Sequence, residues 1–289
     1  YGPFATGSGG YNPWKIADSS EVKAGGHWSQ DVFPAPAKQC LPDSPKAPCL
    51  MASDTLIKGQ QYGLSMAYIK KGLVVINFND IPLSARATSA ASVNSGKVLQ
   101  WLQAALSLVH KNGFQAILVT HIPFGYNIYD NSRFLKVNYD VRLAALLNQY
   151  HRNIVVILAA HTHMNEFKVL QHHHHAELLE LMSPALSTSH GNAASFSIYH
   201  LVENKQTQWQ LMNMSTYRFD QHGVIKPVMN MHQVYGCHDG VALTQCILSE
   251  AKKPQTLYHK LERYYLNGNP NMATPHFNDK QMSNLIVSF

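Results

Sequence analysis

Two stretches of the sequence place histidine where an apolar run gives out. In residues 118–125, Leu118-Val119-Thr120 leads into His121, and Pro123 and Gly125 then turn the chain. In residues 158–163, Leu158-Ala159-Ala160 leads into His161, Thr162 and His163. In extended backbone, the i, i+2 spacing of the second pair puts both imidazoles on one face. Open α/β sheets bind ligands at the carboxyl ends of their strands, so three imidazoles delivered there converge on one point. Neutral imidazole ligates zinc, manganese or iron, at about 2.0–2.1 Å for zinc. One strand-end histidine is readily satisfied by a neighbouring carbonyl. Three at two strand ends, one followed by Pro-x-Gly, read as metal ligands.

Those ends need strands to carry them. Residues 62–69 and 73–78 read as two strands joined at Lys70-Lys71-Gly72. Leu73-Val74-Val75-Ile76 is continuously apolar, as a buried central strand should be. Val98, Leu99, Trp101, Leu102, Ala105, Leu106 and Val109 recur at helical spacing, with Asn94 or Ser95 at the start and Gly113 at the stop. Residues 116–120 form the next strand, 141–150 an amphipathic helix, and 154–160 a third buried strand. That alternation predicts an α/β fold with helices covering a sheet. Residues 195–201 and 207–212 alternate like a hairpin. From His222 the pattern turns helical, with helices expected over 241–251 and 257–266 and a turn-rich break over 267–275.

This gives three expected regions. Residues 1–55 are loop-rich, with recurring Gly, Pro, Ser and Asp and no sustained period. Residues 56–221 are the core portion, and residues 222–289 a helical C-terminal extension. The chain begins at Tyr1 without a leader, as a processed or truncated product would.

Composition narrows the function classes. The chain has 289 residues, 45% hydrophobic and 14% charged, enough for a real core and wrong for a disordered tail. The formal charge of +6 is scattered rather than clustered with aromatics, which argues against a nucleic-acid surface. It still suits attraction of a phosphate ester. No apolar run is long enough to span a bilayer. The four cysteines fall into two close pairs, Cys40 with Cys49 and Cys237 with Cys246, without Cys-x-x-Cys spacing. Two small disulfides in a secreted or periplasmic protein fit that pattern, and four buried thiols are the other reading.

The histidine blocks resemble the last two signature blocks of calcineurin-like metallophosphoesterases: a lone ligand histidine, then Gly-His-x-His, with Ala160 here in place of the glycine. The surroundings are similar to the acid sphingomyelinase-like group. They are Trp101-Leu102, residues 161–167 (His-Thr-His-Met-Asn-Glu-Phe), Ser183-Pro184, Gly191-Asn192, Phe196, and residues 75–79 ending in Asn-x-Asn. The resemblance covers roughly residues 60–220. It implies a layered sheet-sandwich core and hydrolysis of a phosphoester, a phosphodiester above all, by metal-activated hydroxide. It implies a two-metal centre of Zn, Mn or Fe, with His121 and His161 on one metal and His163 on the other. Tyr126, Asn127, His190 and Asn192 are candidate substrate contacts. The partner is a phosphoester small molecule or lipid headgroup.

The family's carboxylate and asparagine blocks are absent. No Asp-x-His precedes the histidine blocks, Asp220-Gln221-His222 lying after them; there is no Gly-Asp, and neither Asn79-Asp80 nor Asn278-Asp279 follows glycine. The bridging carboxylate and the usual acid histidine therefore have no counterpart. One or no metal is expected in this chain alone, with a missing N-terminal half of the same protein as a partner. The alternative is a non-catalytic relative serving as a binding module. Asp80 is open between a carboxylate near the metals and a turn residue. Asn165 and Glu166 are read as orienting ligands or capping a turn, and residues 172–175 (four histidines) as a solvated loop.

Overall fold

A computed structural model of the chain describes residues 38–39, 50–51, 62–92, 94–172, 175–188, 190–250 and 254–288. The fold is mixed α/β, as the alternation of elements predicts. The chain forms two compact units, the first from Tyr1–Ile122 and Phe134–Ile154, the second from Pro123–Arg133 and Val155–Phe289. The backbone therefore passes between them three times.

In the first unit, the two-residue strands β1 (Lys38–Gln39) and β2 (Leu50–Met51) pair antiparallel. Then come β3 (Ser65–Lys70) and β4 (Leu73–Asn77), the short helices Ile81–Leu83 and α1 (Ser89–Ser92), α2 (Ser95–Lys111), β5 (Gln115–Val119) and α3 (Val137–Tyr150). β4 lies between antiparallel β3 and parallel β5. Its Leu73, Val74 and Ile76 are buried, which is why its apolar run does not alternate. The whole expected α2 stripe, Val98 to Val109, is buried. Asn112 closes that helix and Gly113 follows at φ +67°, a left-handed position that glycine adopts without strain. α3 begins at Val137, four residues before the expected start, and its first buried residue is Leu143.

In the second unit, β6 (Ile154–Ala159) is followed by the hairpin β7 (Glu166–His172) and β8 (His175–Met182). β6 runs parallel to β8, and β7 antiparallel to it. His172, the last residue of β7, stands opposite His175, the first of β8, and residues 173 and 174 of the expected loop lie outside the described residues. β9 (Ser195–Glu203), β10 (Trp209–Phe219) and β11 (Ile225–Asn230) make a separate antiparallel sheet in the order β11-β10-β9. The expected hairpin is β9–β10, continued further than its alternation shows.

The tail adds α4 (Met231–Val234), α5 (Leu243–Glu250), α6 (Pro254–Tyr264), α7 (Asp279–Ser283) and β12 (Ile286–Ser288). It is helical as expected but also holds two strands, and β12 pairs parallel with β7. α5 packs on β8 and β10. No helix of the described residues is long and apolar enough to cross a membrane.

Cys237 and Cys246 form a disulfide across a separation of 9 residues, tying the end of α4 to α5. Cys40 and Cys49 lie outside the described residues. A loop of this size constrains the unfolded chain by about 2–3 kcal/mol on the chain-entropy account. Cys246→Ser should lower the urea midpoint by that equivalent. An unchanged midpoint would mean that α5 is held by packing alone.

Candidate functional site

β5 ends at Val119, and the chain beyond it is fixed by Asp80. This carboxylate is 1% exposed. Its Oδ1 accepts the His121 N–H at 3.1 Å and the Ile122 N–H at 3.1 Å, while Oδ2 accepts the Ile122 N–H at 3.0 Å. Burial pushes the Asp80 carboxyl up to about 7, against backbone N–H bonds from Ile122, His121 and its own residue that pull it down. Asp80 does sit in a turn, yet its role reaches further: it braces the backbone of a candidate ligand 41 positions away. The sequence offers no signal for that beyond the polar Asn79-Asp80 pair after an apolar strand. His121 itself is half-buried and belongs to the first unit.

His161 and His163 belong to the second unit, and their backbone corrects the expectation of extended chain. They sit at φ 66° and 67°, both left-handed. The strand ends at Ala159, and the strand period no longer sets where the imidazoles go. Side chains other than glycine rarely adopt this conformation, at a cost of order 1–2 kcal/mol per residue. The bend is held by its neighbours. Thr162 N–H donates to the Ala160 carbonyl at 2.7 Å, and Ser183 N–H to the Ala159 carbonyl at 2.8 Å. The His163 carbonyl accepts from Ala185 N–H at 3.4 Å and from Asn267 Nδ2 at 3.3 Å. Asn267 is fully buried and also donates to the Ala193 carbonyl at 3.3 Å. In the sequence it was only part of a turn-rich break. Its own left-handed φ of 58° accounts for asparagine there, not for the contact with His163.

The His190 ring lies 5.3 Å from the His163 ring, centroid to centroid. Burial first, and then the charge of His190, hold His163 below the usual histidine value, which favours the neutral, ligating form. The His190 loop is anchored where Asn269 Nδ2 donates to the Gly191 carbonyl at 2.7 Å. Asn192 is 1% exposed and donates to the Ser187 carbonyl at 2.7 Å and the Ala185 carbonyl at 3.4 Å. Its amide thus serves the loop, while His190 is the exposed group of the pair.

Tyr126 and Asn127 lie in the Pro123–Arg133 turn. Arg133 donates to the Tyr126 hydroxyl, and its guanidinium lies 4.7 Å from the Tyr126 ring centroid. Asn127 Oδ1 accepts the Tyr129 N–H at 2.9 Å, so Asn127 shapes the turn. Asn165 and Glu166 are both buried. Asn165 donates to Thr216 Oγ1 at 3.3 Å, and Glu166 pairs with the fully buried Lys168 at 2.9 Å. Among the described residues no group of three or more His, Cys, Asp or Glu is placed to hold a metal ion.

No family model matches the chain. No curated protein matches it either. Among solved structures, the crystal structure of a candidate 5′-nucleotidase from Staphylococcus aureus, in complex with alpha-ketoglutarate, aligns over 57% of this chain and 28% of its own length. The identity is 11% and the TM-score 0.28. This chain thus spans under a third of that protein, and a likeness at this level carries no weight for function.

Proposed function

We propose that the chain is the histidine-bearing portion of a phosphoester hydrolase of the metallophosphoesterase type, acting on phosphodiesters such as a phosphocholine lipid or a nucleotide derivative. The observation that carries this is the paired left-handed backbone of His161 and His163 after a buried strand. Strain of this kind collects at functional sites, where the surroundings over-determine it. The resemblance of His121-Ile122-Pro123 and residues 161–163 to the family's last ligand blocks supports the same reading. The Cys237–Cys246 disulfide supports a protein of an oxidising compartment.

The donors do not fit a two-metal centre by themselves. His121, His161 and His163 bring three neutral imidazoles and no charge. The Asp80 carboxylate faces the backbone N–H groups of His121 and Ile122. The carboxylates would have to come from outside this sequence. A second reading, a non-catalytic binding module, is favoured by the same use of Asp80.

The test is elemental mass spectrometry of the purified chain after dialysis against Zn²⁺ or Mn²⁺, with His163→Ala as control. One weakly held metal per chain, lost in the variant, is the expected result. Two tightly held metals would mean that the ligand set is larger than the three histidines. Metal that is absent, or unchanged in the variant, would overturn the hydrolase reading in favour of the binding module.

A further inference from the structure

The turn Pro123–Arg133 follows a candidate ligand in sequence, yet it packs with the second unit rather than with the strand that leads into it. It contains no helix or strand, only the bridge between Tyr126 and Arg133. Such a segment keeps one shape only if its backbone polar groups find fixed partners. Four of its N–H groups, those of Asn127, Tyr129, Asn131 and Ser132, are met inside the turn, while the last residues of the chain reach its Tyr129 and Asn127 carbonyls. Gln281 Nε2 donates to the Tyr129 carbonyl at 2.8 Å. Asn284 Nδ2 donates to Asn131 Oδ1 at 2.9 Å and to the Asn127 carbonyl at 3.4 Å. The buried Lys168 ammonium joins the two segments, donating to the Tyr126 carbonyl at 2.8 Å and to the Asn284 carbonyl at 3.0 Å. Gly125, at φ +70°, lies so close to β12 that a Cβ there would meet Val287 Cγ2 at 2.8 Å. The tail is itself fixed, since the Val169 N–H donates to the Leu285 carbonyl at 2.8 Å and β12 pairs with β7.

We infer that the C-terminal segment α7–β12 is a strap that positions the Pro123–Arg133 turn, with Gln281 and Asn284 as positioning residues for the Tyr126–Arg133 pair. A guanidinium stacked on a tyrosine ring and bonded to its hydroxyl is a cation held in place, suited to a phosphate oxygen. That last role rests on the proposed function; the strap does not.

The experiment is amide hydrogen exchange of the full chain, comparing the wild type with Asn284→Ala and Asn284→Asp. Both variants remove the donor while Asp keeps the size, and neither alters the carbonyl that Lys168 uses. Loss of two hydrogen bonds to the turn should speed exchange of the amides of residues 124–131 by about tenfold in both variants. The amides of α2, in the first unit, serve as the control and should not change. Unchanged turn exchange in either variant would overturn the strap. So would acceleration spread equally over α2, which would mean general loosening. Exchange needs neither metal nor substrate, so the strap can fail while the hydrolase reading stands, and the reverse.

Discussion

Near pH 4, Asp80→Ala should lower the unfolding free energy by about 2–5 kcal/mol, because it leaves the His121 and Ile122 N–H groups without their acceptor. Ile122 is 1% exposed, so water cannot readily replace the lost carboxylate. Urea unfolding followed by tryptophan fluorescence reads this, since the buried Trp101 lies in the same unit. A loss below about 0.5 kcal/mol, typical of surface changes, would remove Asp80 from its bracing role. The same group gives a pH signature. Its folded value of about 7 lies above the ordinary 3.8. The stability it contributes is therefore fully present below about pH 4 and is lost as pH rises through 7. The span is about 4 kcal/mol at 1.36 kcal/mol per unit. Asp80→Asn, which cannot ionise, should flatten this part of the stability–pH curve. A variant curve parallel to the wild type between pH 4 and 8 would refute the assignment.

The second large effect is expected at Lys168. The side chain is 0% exposed, pairs with Glu166 at 2.9 Å, and donates to two carbonyls. Lys168→Met would leave a buried carboxylate without its cation and the Tyr126 and Asn284 carbonyls without a donor. Breaking a buried pair from one side costs about 3–5 kcal/mol. The double variant Lys168→Met with Glu166→Gln should recover part of that, because the uncompensated charge is gone. If the double variant loses as much as the sum of the two single ones, the pair is not coupled and the ion pair explains nothing.

These buried charges also show where the sequence stopped being legible. β4, β5 and β6 are apolar runs flanked by turns, and their reading needs no knowledge of neighbours. Residues 166–170 of β7 and 178–182 of β8 are as buried, but Glu166, Lys168 and Glu180 interrupt them. Lys168 faces Glu180 across the hairpin, and Glu180 accepts the Phe124 N–H at 3.1 Å. Charge at those positions signals a solvent face unless its partner is known, and the partners are fixed only by the fold. β12 has three residues, too few for any period, and is a strand because β7 offers it an edge. At the candidate site, the three histidines were visible because residue type and strand-end position sufficed. Their supports were not. Asp80 acts over 41 residues and Asn267 over 104. The left-handed turn at His161 and His163 also runs against what histidine prefers, so local propensity points away from it.

The threading of the chain sets a limit on how this protein can be rebuilt. The backbone passes from the first unit to the second after Ile122, returns after Arg133, and passes again after Ile154. A single crossover at any of those points would hand a recombinant partner one unit with a piece missing or a piece of the other attached. Neither unit is an exchangeable cassette. Insertions, duplications and gene fusions that leave both intact are confined to surface loops within a unit or to the ends of the chain, and the eleven-residue excursion Pro123–Arg133 must travel with both.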